Sequence, residues 1–165
     1  MSAPFFEPVR VLFVCMGNIC RSPTAEAVMK KLVVESGLAD KIFVDSAGTH
    51  GYHVGGRSDA RSRAAGEKRG YVFDHFARKV EKNDFHEFDY ILAADDENMA
   101  ELLRIEPRGP HRAKLSLLLS HCPAAGCSQV PDPYYGGPGG FEQVLDLLET
   151  ACNDLLQHIR TDHGL

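Results

Sequence analysis

Cys15 and Arg21 are the residues whose types and spacing most directly imply chemistry in this 165-residue chain. They stand in VRVLFVCMGNICRSPTAEAV, residues 9–28, with a thiol where an apolar run stops and a guanidinium six positions on. Gly17 and Asn18 lie between them, and Ser22 and Pro23 follow. Read physically, this is a strand, a tight loop and the N-terminus of a helix. Such a loop turns backbone N–H groups inward at the positive end of a helix dipole, which suits a phosphate. The same surroundings lower the pKa of a cysteine and make it a thiolate nucleophile. The planar fork of an arginine can grip two phosphoryl oxygens, a task for which lysine is a poor substitute.

The C-x5-R spacing is weak by itself, because this chain holds five cysteines among many arginines. The surroundings carry the inference. Gly17 permits a backbone closed to other residues, and Asn18 tolerates the left-handed region better than most. Ser22 is the candidate N-cap and Pro23 the first helical residue. A buried strand cysteine beside a surface arginine would leave both the glycine and the proline unexplained.

A phosphate ester also needs a proton for its leaving oxygen. Asp132, held between Pro131 and Pro133, is a candidate donor on a stiff loop. It is equally an ordinary turn residue, since Asp-Pro is a common turn signal. Asp45, Asp89, Asp95 and Asp96 are rivals by residue type, and Asp95 and Asp96 read as helix caps. Tyr134, Tyr135 and, in a glycine-bearing loop, Tyr52 could wall a cleft that favours a flat aromatic ring. His121, Cys122 and Cys127 lack a fourth metal ligand, so no metal site is assigned there.

The elements that must position these residues alternate. Strands are expected at 9–14, 42–44, 90–94 and 114–119, and helices at 23–34, 59–69, 95–105 and 141–159, with a one-turn helix near 84–88. This pattern predicts an α/β fold with a four-stranded parallel sheet and helices on both faces. Cys15, Ser46 and Asp95 then fall at carboxyl ends of strands, where such sheets bind ligands. Residues 121–140 form a coil of the length that loops with a function have. One domain is expected over residues 1–165, with residues 1–8 as a flexible arm.

The net charge is −5, from 18 basic and 23 acidic residues, which argues against a nucleic-acid partner. No apolar run reaches the length of a membrane span, and the N-terminus has no signal-peptide pattern. Five cysteines without a regular framework fit a reducing, cytoplasmic setting. A monomer is the default expectation.

VCMGNICRSP resembles V-C-x-G-N-x-C-R-S-P, the signature of the low-molecular-weight protein tyrosine phosphatases. Ser46-Ala47-Gly48-Thr49, His75-x-Ala77-Arg78, Phe88-Asp89-Tyr90-Ile91-Leu92 and Asp132-Pro133-Tyr134-Tyr135-Gly136 fall in the order and approximate spacing of that family. The resemblance implies a three-layer, doubly wound, flavodoxin-like (phosphotyrosine protein phosphatase I-like) fold. It implies metal-independent hydrolysis of phosphotyrosine without a cofactor. Cys15 would form a phosphocysteine intermediate and Arg21 would clamp the phosphoryl group. The loop of Met16, Gly17, Asn18, Ile19 and Cys20 would stabilise the transition state through its N–H groups. Ser22 would hydrogen-bond the sulfur, and Asp132 would act as general acid and then activate water. Asn18, Ser46 and His75 would fix the loop, and Tyr52, Tyr134 and Tyr135 would wall the cleft. The tyrosine pair is also a candidate phosphorylation target. Cys20 could trap an oxidised Cys15 as a disulfide. The substrate would be a phosphotyrosine-containing protein, with a cognate tyrosine kinase as a further candidate partner. An arsenate reductase of the same fold would need cysteines just after the third strand, where this chain has Ala93-Ala94-Asp95-Asp96.

Overall fold

Strand β1, Val9–Cys15, is buried at every residue except Arg10, so it needs cover on both faces. Side chains alternate along a strand, and here Val11, Phe13 and Cys15 enter one core while Leu12 and Val14 enter another. The computed structural model places β1 inside a parallel sheet of order β2-β1-β3-β4, with β2 at Ile42–Gly48, β3 at Tyr90–Ala93 and β4 at Leu115–Leu117. Helices α1 (Arg21–Glu35), α2 (Ala60–Glu67) and α5 (Gly139–His163) contribute to the first core. Helices α3 (Asp84–Glu87) and α4 (Asp96–Ile105) contribute to the second. This is the four-stranded parallel sheet with helices on both faces that the alternation predicts, in the three-layer, doubly wound form that the family resemblance implies. The structure describes residues 7–106, 109–134, 136–137 and 139–165. Residues 1–6 of the expected arm, and Tyr135, lie outside them.

The chain leaves β1 toward β2 on one side and reaches β3 on the other. The crevice where the order reverses lies at the carboxyl end of β1, beside Cys15. The fold thus presents the thiol where sheets of this kind hold ligands.

Helix α5 carries the largest share of the first core. Phe141, Val144, Leu145, Leu148, Ala151, Leu155, Leu156 and Ile159 recur at helical spacing, and all are buried. Gly37, at φ 71°, follows the last turn of α1 in the left-handed conformation that ends helices.

Four expectations need correction. Helix α1 begins at Arg21, and Cys20, not Ser22, occupies the cap position. The Ser22 hydroxyl is engaged elsewhere, by Cys15 and Asn18. Pro23 is therefore the third helical residue, which is tolerated because the first four N–H groups have no partner within the helix. Strand β2 runs to Gly48, well past residue 44, because Ser46, Ala47 and Gly48 pair with Phe13, Val14 and Cys15. The fourth strand spans only Leu115–Leu117. Leu118–His121 instead coil into a 3-10 turn that buries Leu118 and Leu119 in the first core. The long coil also contains a second 3-10 turn, Pro123–Ala125.

Leu155 is fully buried on α5. Leu155→Ala is expected to cost about 2–5 kcal/mol, from lost transfer energy plus the cavity left behind. Denaturant unfolding checks this as a lower midpoint at unchanged slope. A loss well below that range would show that α5 does not anchor the core.

Candidate active site

The loop after β1 is held near its far end, where Asp59 N–H donates to the Ile19 carbonyl at 2.8 Å, and at its start. Thr49 N–H donates to the Cys15 carbonyl at 2.9 Å and His50 N–H to the Met16 carbonyl at 3.0 Å. Within the loop, Asn18 is the only described non-glycine residue with positive φ, 57°. Its side chain is buried and makes four hydrogen bonds. Arg78 N–H, which can only donate, sits 3.0 Å from Oδ1, so the amide orientation is fixed. His75 Nε2 lies 2.7 Å from the same oxygen and must therefore donate to it. Nδ2 then gives its two hydrogens to Ser22 Oγ at 2.8 Å and Ser46 Oγ at 3.0 Å.

This orientation settles where the hydroxyl protons go. Ser46 accepts from Asn18 and passes its own proton to Glu26 Oε1 at 2.8 Å. Ser22 also accepts from Asn18, and its remaining neighbour is Cys15 Sγ at 3.0 Å. The Ser22 proton therefore points at the sulfur, and Cys15 is held as an acceptor. That is the arrangement a thiolate requires.

Glu26 is buried on α1, facing His75 Nδ1 at 3.1 Å, while Lys30 Nζ reaches its other oxygen at 2.8 Å. Asp45 lies 3.4 Å from His75 Nδ1 and 3.1 Å from Arg78. Among the described residues, Glu26, Asp45 and His75 form the one cluster compact enough to hold a metal ion, with ligand atoms within 4.8 Å of one another. Lys30 and Arg78 already supply its cationic partners, so the cluster reads as a brace for Asn18 and Ser46.

Arg21 is 4% exposed. Its Nη1 donates to Asp95 Oδ2 at 2.6 Å and to the Val130 carbonyl at 3.0 Å. Those bonds use both Nη1 hydrogens and leave the Nε and Nη2 edge for a ligand. Nη2 lies 3.6 Å from Asp132 Oδ2. Burial alone would lower the Arg21 pKa, but Cys15, Asp95 and Asp132 together raise it, so the charge is secure. Asp95 does cap α4, accepting from Asn98 N–H at 2.8 Å, and orients Arg21 with its second oxygen. The sequence reading of Asp95 as a cap alone missed that second task. Its place at the end of β3 was the available signal. Asp96 does not cap, and its N–H donates to Gln129 Oε1 at 2.9 Å.

A cleft of about 240 Å³ opens over Cys15 and Arg21, with Ile19, Tyr52, Asp132 and Tyr134 among its walls. Tyr52 stacks on His50 with ring centroids 5.3 Å apart. Arg61 braces the opposite wall. Its guanidinium lies over the rings of Phe141 and Tyr134 at 4.7 and 5.3 Å and donates to the Tyr134 carbonyl at 3.2 Å. Asp59 holds Arg61 at 3.0 Å. Asp132 itself accepts from Tyr134 N–H at 3.0 Å and is solvent-accessible. The structure thus gathers Cys15, Arg21, Asp132, Tyr52 and Tyr134 around one opening, with Asn18, Ser22, Ser46 and His75 behind it. Glu26, Arg61 and the Val130 carbonyl also serve the site and were not singled out from sequence. Burial and then the Asp59 charge push the Cys20 thiol up to about 12, so it stays protonated beside Cys15 at neutral pH.

Residues 10–164 match the family described as low molecular weight phosphotyrosine protein phosphatase. The chain is similar to a low molecular weight protein-tyrosine-phosphatase of Streptomyces coelicolor, with 44% identity over 92% of this chain and 93% of that one. It superimposes on the crystal structure of YfkJ from Bacillus subtilis with a TM-score of 0.91 and 38% identity, covering 96% of this chain and 98% of that one. A crystal structure of a protein tyrosine phosphatase from Entamoeba histolytica gives a TM-score of 0.86 and 46% identity, over 94% and 98% of the two chains.

Two outcomes are expected. Asp95→Asn removes the charge that orients Arg21, so KM for an aryl phosphate should rise and kcat fall about tenfold or more; unchanged kinetics would detach Asp95 from the site. The raised Cys20 pKa also implies a stability term. The unfolded chain releases this proton from about its ordinary value of 9.0, and the folded chain only near 12. The contribution is therefore fully present below pH 9 and lost as pH rises toward 12. Cys20→Ser should flatten the alkaline fall of the unfolding midpoint in that window, and an identical slope would contradict the burial argument.

Proposed function

The chain belongs to the low-molecular-weight phosphotyrosine protein phosphatase family, and from that premise we propose that it hydrolyses phosphotyrosine in proteins with Cys15 as nucleophile, Arg21 as phosphoryl clamp and Asp132 as general acid. The observation that carries this assignment is the reach of Arg21, which is buried beside Cys15 and extends to the acid loop at both Val130 and Asp132. One guanidinium thereby registers the attacking sulfur against the proton donor.

Cys15 Sγ attacks phosphorus, and the phosphoryl group passes to sulfur as the tyrosine oxygen leaves. Asp132 gives that oxygen its proton, so phenol and not phenolate departs. The free edge of Arg21 and the loop N–H groups stabilise the charge on the equatorial oxygens. Asp132, now a carboxylate, takes a proton from water attacking the phosphocysteine. Ser22 then donates to the sulfur as it leaves, in the direction that Asn18 imposes. The roles of Met16, Gly17, Asn18, Ile19 and Cys20 as a phosphate cradle, and of Tyr52 and Tyr134 as cleft walls, complete the proposal.

A phosphotyrosine ring fits the aromatic and apolar walls, with Ile19 and Tyr134 on its flanks. Such walls favour a flat aromatic ring over a short phosphoserine side chain. Among the described residues, no helix is long and apolar enough to cross a membrane. A reducing cytoplasmic setting keeps a working thiolate intact, and a monomer opposing a cognate tyrosine kinase is the simplest biological frame for this chemistry.

Hydrolysis of an aryl phosphate tests the assignment. Cys15→Ser should abolish turnover. Asp132→Ala should slow it by about 10²–10⁴-fold, with the greatest loss on poor leaving groups. A chelator should change nothing. Full activity in Cys15→Ser would overturn the mechanism.

A further inference from the structure

We propose that Cys127 and Cys122 form a reversible disulfide under hydrogen peroxide, a modification site on the segment that leads into the acid loop. Cys122 ends the Leu118–His121 turn and is fully buried, its N–H bonded to the Leu119 carbonyl at 3.0 Å. Pro123–Ala125 then make another 3-10 turn, with Ala125 N–H on the Cys122 carbonyl at 3.0 Å. Gly126 closes it in the left-handed conformation, at φ 75° and ψ 4°, with its N–H toward the Pro123 carbonyl at 3.5 Å. The turn and its left-handed glycine reverse the chain between Cys122 and Cys127, five residues apart, and the two thiols are near enough for the charge of one to act on the other. One thiol is buried and its partner is exposed.

That asymmetry orders the chemistry. Cys127 meets the oxidant first. Its sulfur takes one oxygen from hydrogen peroxide, the O–O bond breaks, and water and a sulfenic acid result. Burial and the Asp154 charge raise the pKa of the Cys122 thiol and keep it protonated. When the sulfenic sulfur turns inward, Cys122 sulfur attacks it. The S–S bond forms, the S–O bond breaks, and hydroxide leaves as water with the Cys122 proton. Two thiols and one peroxide give one disulfide and two waters, and a dithiol reductant reverses the bond by exchange.

The position gives the bond leverage. Just beyond Cys127, Gln129 accepts from Asp96 N–H at 2.9 Å, Val130 N–H donates to the Ala94 carbonyl at 2.8 Å, and the Val130 carbonyl holds Arg21. Drawing Cys127 inward pulls on these anchors and on Asp132 behind them. This pair is separate from Cys15 and Cys20, which lie on the phosphate loop.

Limited peroxide treatment of the full chain tests the proposal, with inorganic phosphate present to occupy the cleft, followed by alkylation and cleavage after Lys and Arg. The peptide 115–160 contains Cys122, Cys127 and Cys152. It should lose two hydrogens and take one alkyl group instead of three, and reductant should restore all three sites. Cys127→Ser should prevent the loss while leaving reduced turnover unchanged, and Cys152→Ser should leave the bridge in place. After phosphate removal, the bridged protein should turn over an aryl phosphate more slowly until reduced. Three alkyl groups in the treated wild type, or Cys127 advancing to sulfinic acid beside an alkylated Cys122, would overturn the bridge. Equal rates before and after reduction would overturn its leverage on the loop. The mass readout is independent of the catalytic assignment, so the two proposals fail separately.

Discussion

Asn18 sits at φ 57° with its side-chain amide buried, and the backbone N–H of Arg78 leaves that amide only one orientation. The rest of the site inherits its hydrogen-bond direction from this constraint. Ser22 and Ser46 both accept from Nδ2, which leaves the hydroxyl proton of one for the Cys15 sulfur and of the other for Glu26. A buried donor or acceptor left without a partner costs about 1–3 kcal/mol, so the chain of bonds resists local rearrangement. It also compensates the left-handed backbone at a residue that has a Cβ. Segments from α1, β2 and the irregular stretch around residues 75–78 meet at this one amide, and β1 joins them through Ser22 and Cys15.

A second device handles charge. The chain is acidic overall, with a net charge of −5, yet its phosphate site needs a fixed positive group. Arg21 provides it from a buried position, with Asp95 on one side and the Val130 carbonyl on the other. Fixing Nη1 in this way uses donors that a phosphate would not reach and leaves the opposite edge free. The acid loop is in turn positioned from three directions, by Arg21, by the Asp96 N–H on the first turn of α4, which Gln129 accepts, and by Arg61 against Tyr134 and Phe141. Preorganisation here means that few side chains must move when substrate arrives.

Much of this was legible in the sequence because local chemistry and local structure coincide between Cys15 and Pro23. An apolar run followed by Asn18 and Pro23 has few physical readings besides a strand, a left-handed turn and a helix start. Gly17, expected to supply an unusual backbone, instead has no positive φ and is small because a Cβ there would stand 3.0 Å from the His53 ring. The periodic apolar face of α5 was equally plain. The errors lie where one residue type serves two purposes. Ser22 looks like a helix cap because a serine before a helix usually is one, yet its hydroxyl is turned to a sulfur. Asp95 caps α4, and only its place at the end of β3 signals that its second oxygen could serve the site, where it meets an arginine 74 positions earlier. Strand β2 was read too short because Asp45 and Ser46 are polar. They are retained there for the network around His75 and Glu26, which only the fold brings together. Arg61 and Val130 act through tertiary contacts and carry no sequence signal at all.

The central claim is that Asn18 acts on Cys15 through Ser22, and a double-mutant cycle of Asn18→Ala and Ser22→Ala tests it most directly. The quantity to measure is the pre-steady-state rate of Cys15 phosphorylation by an aryl phosphate. If one hydrogen-bond path links the two residues, the double variant should be little slower than the worse single variant, with a coupling energy of about 1–2 kcal/mol. Losses that add within about 0.5 kcal/mol would mean that the two side chains act independently and would contradict the account.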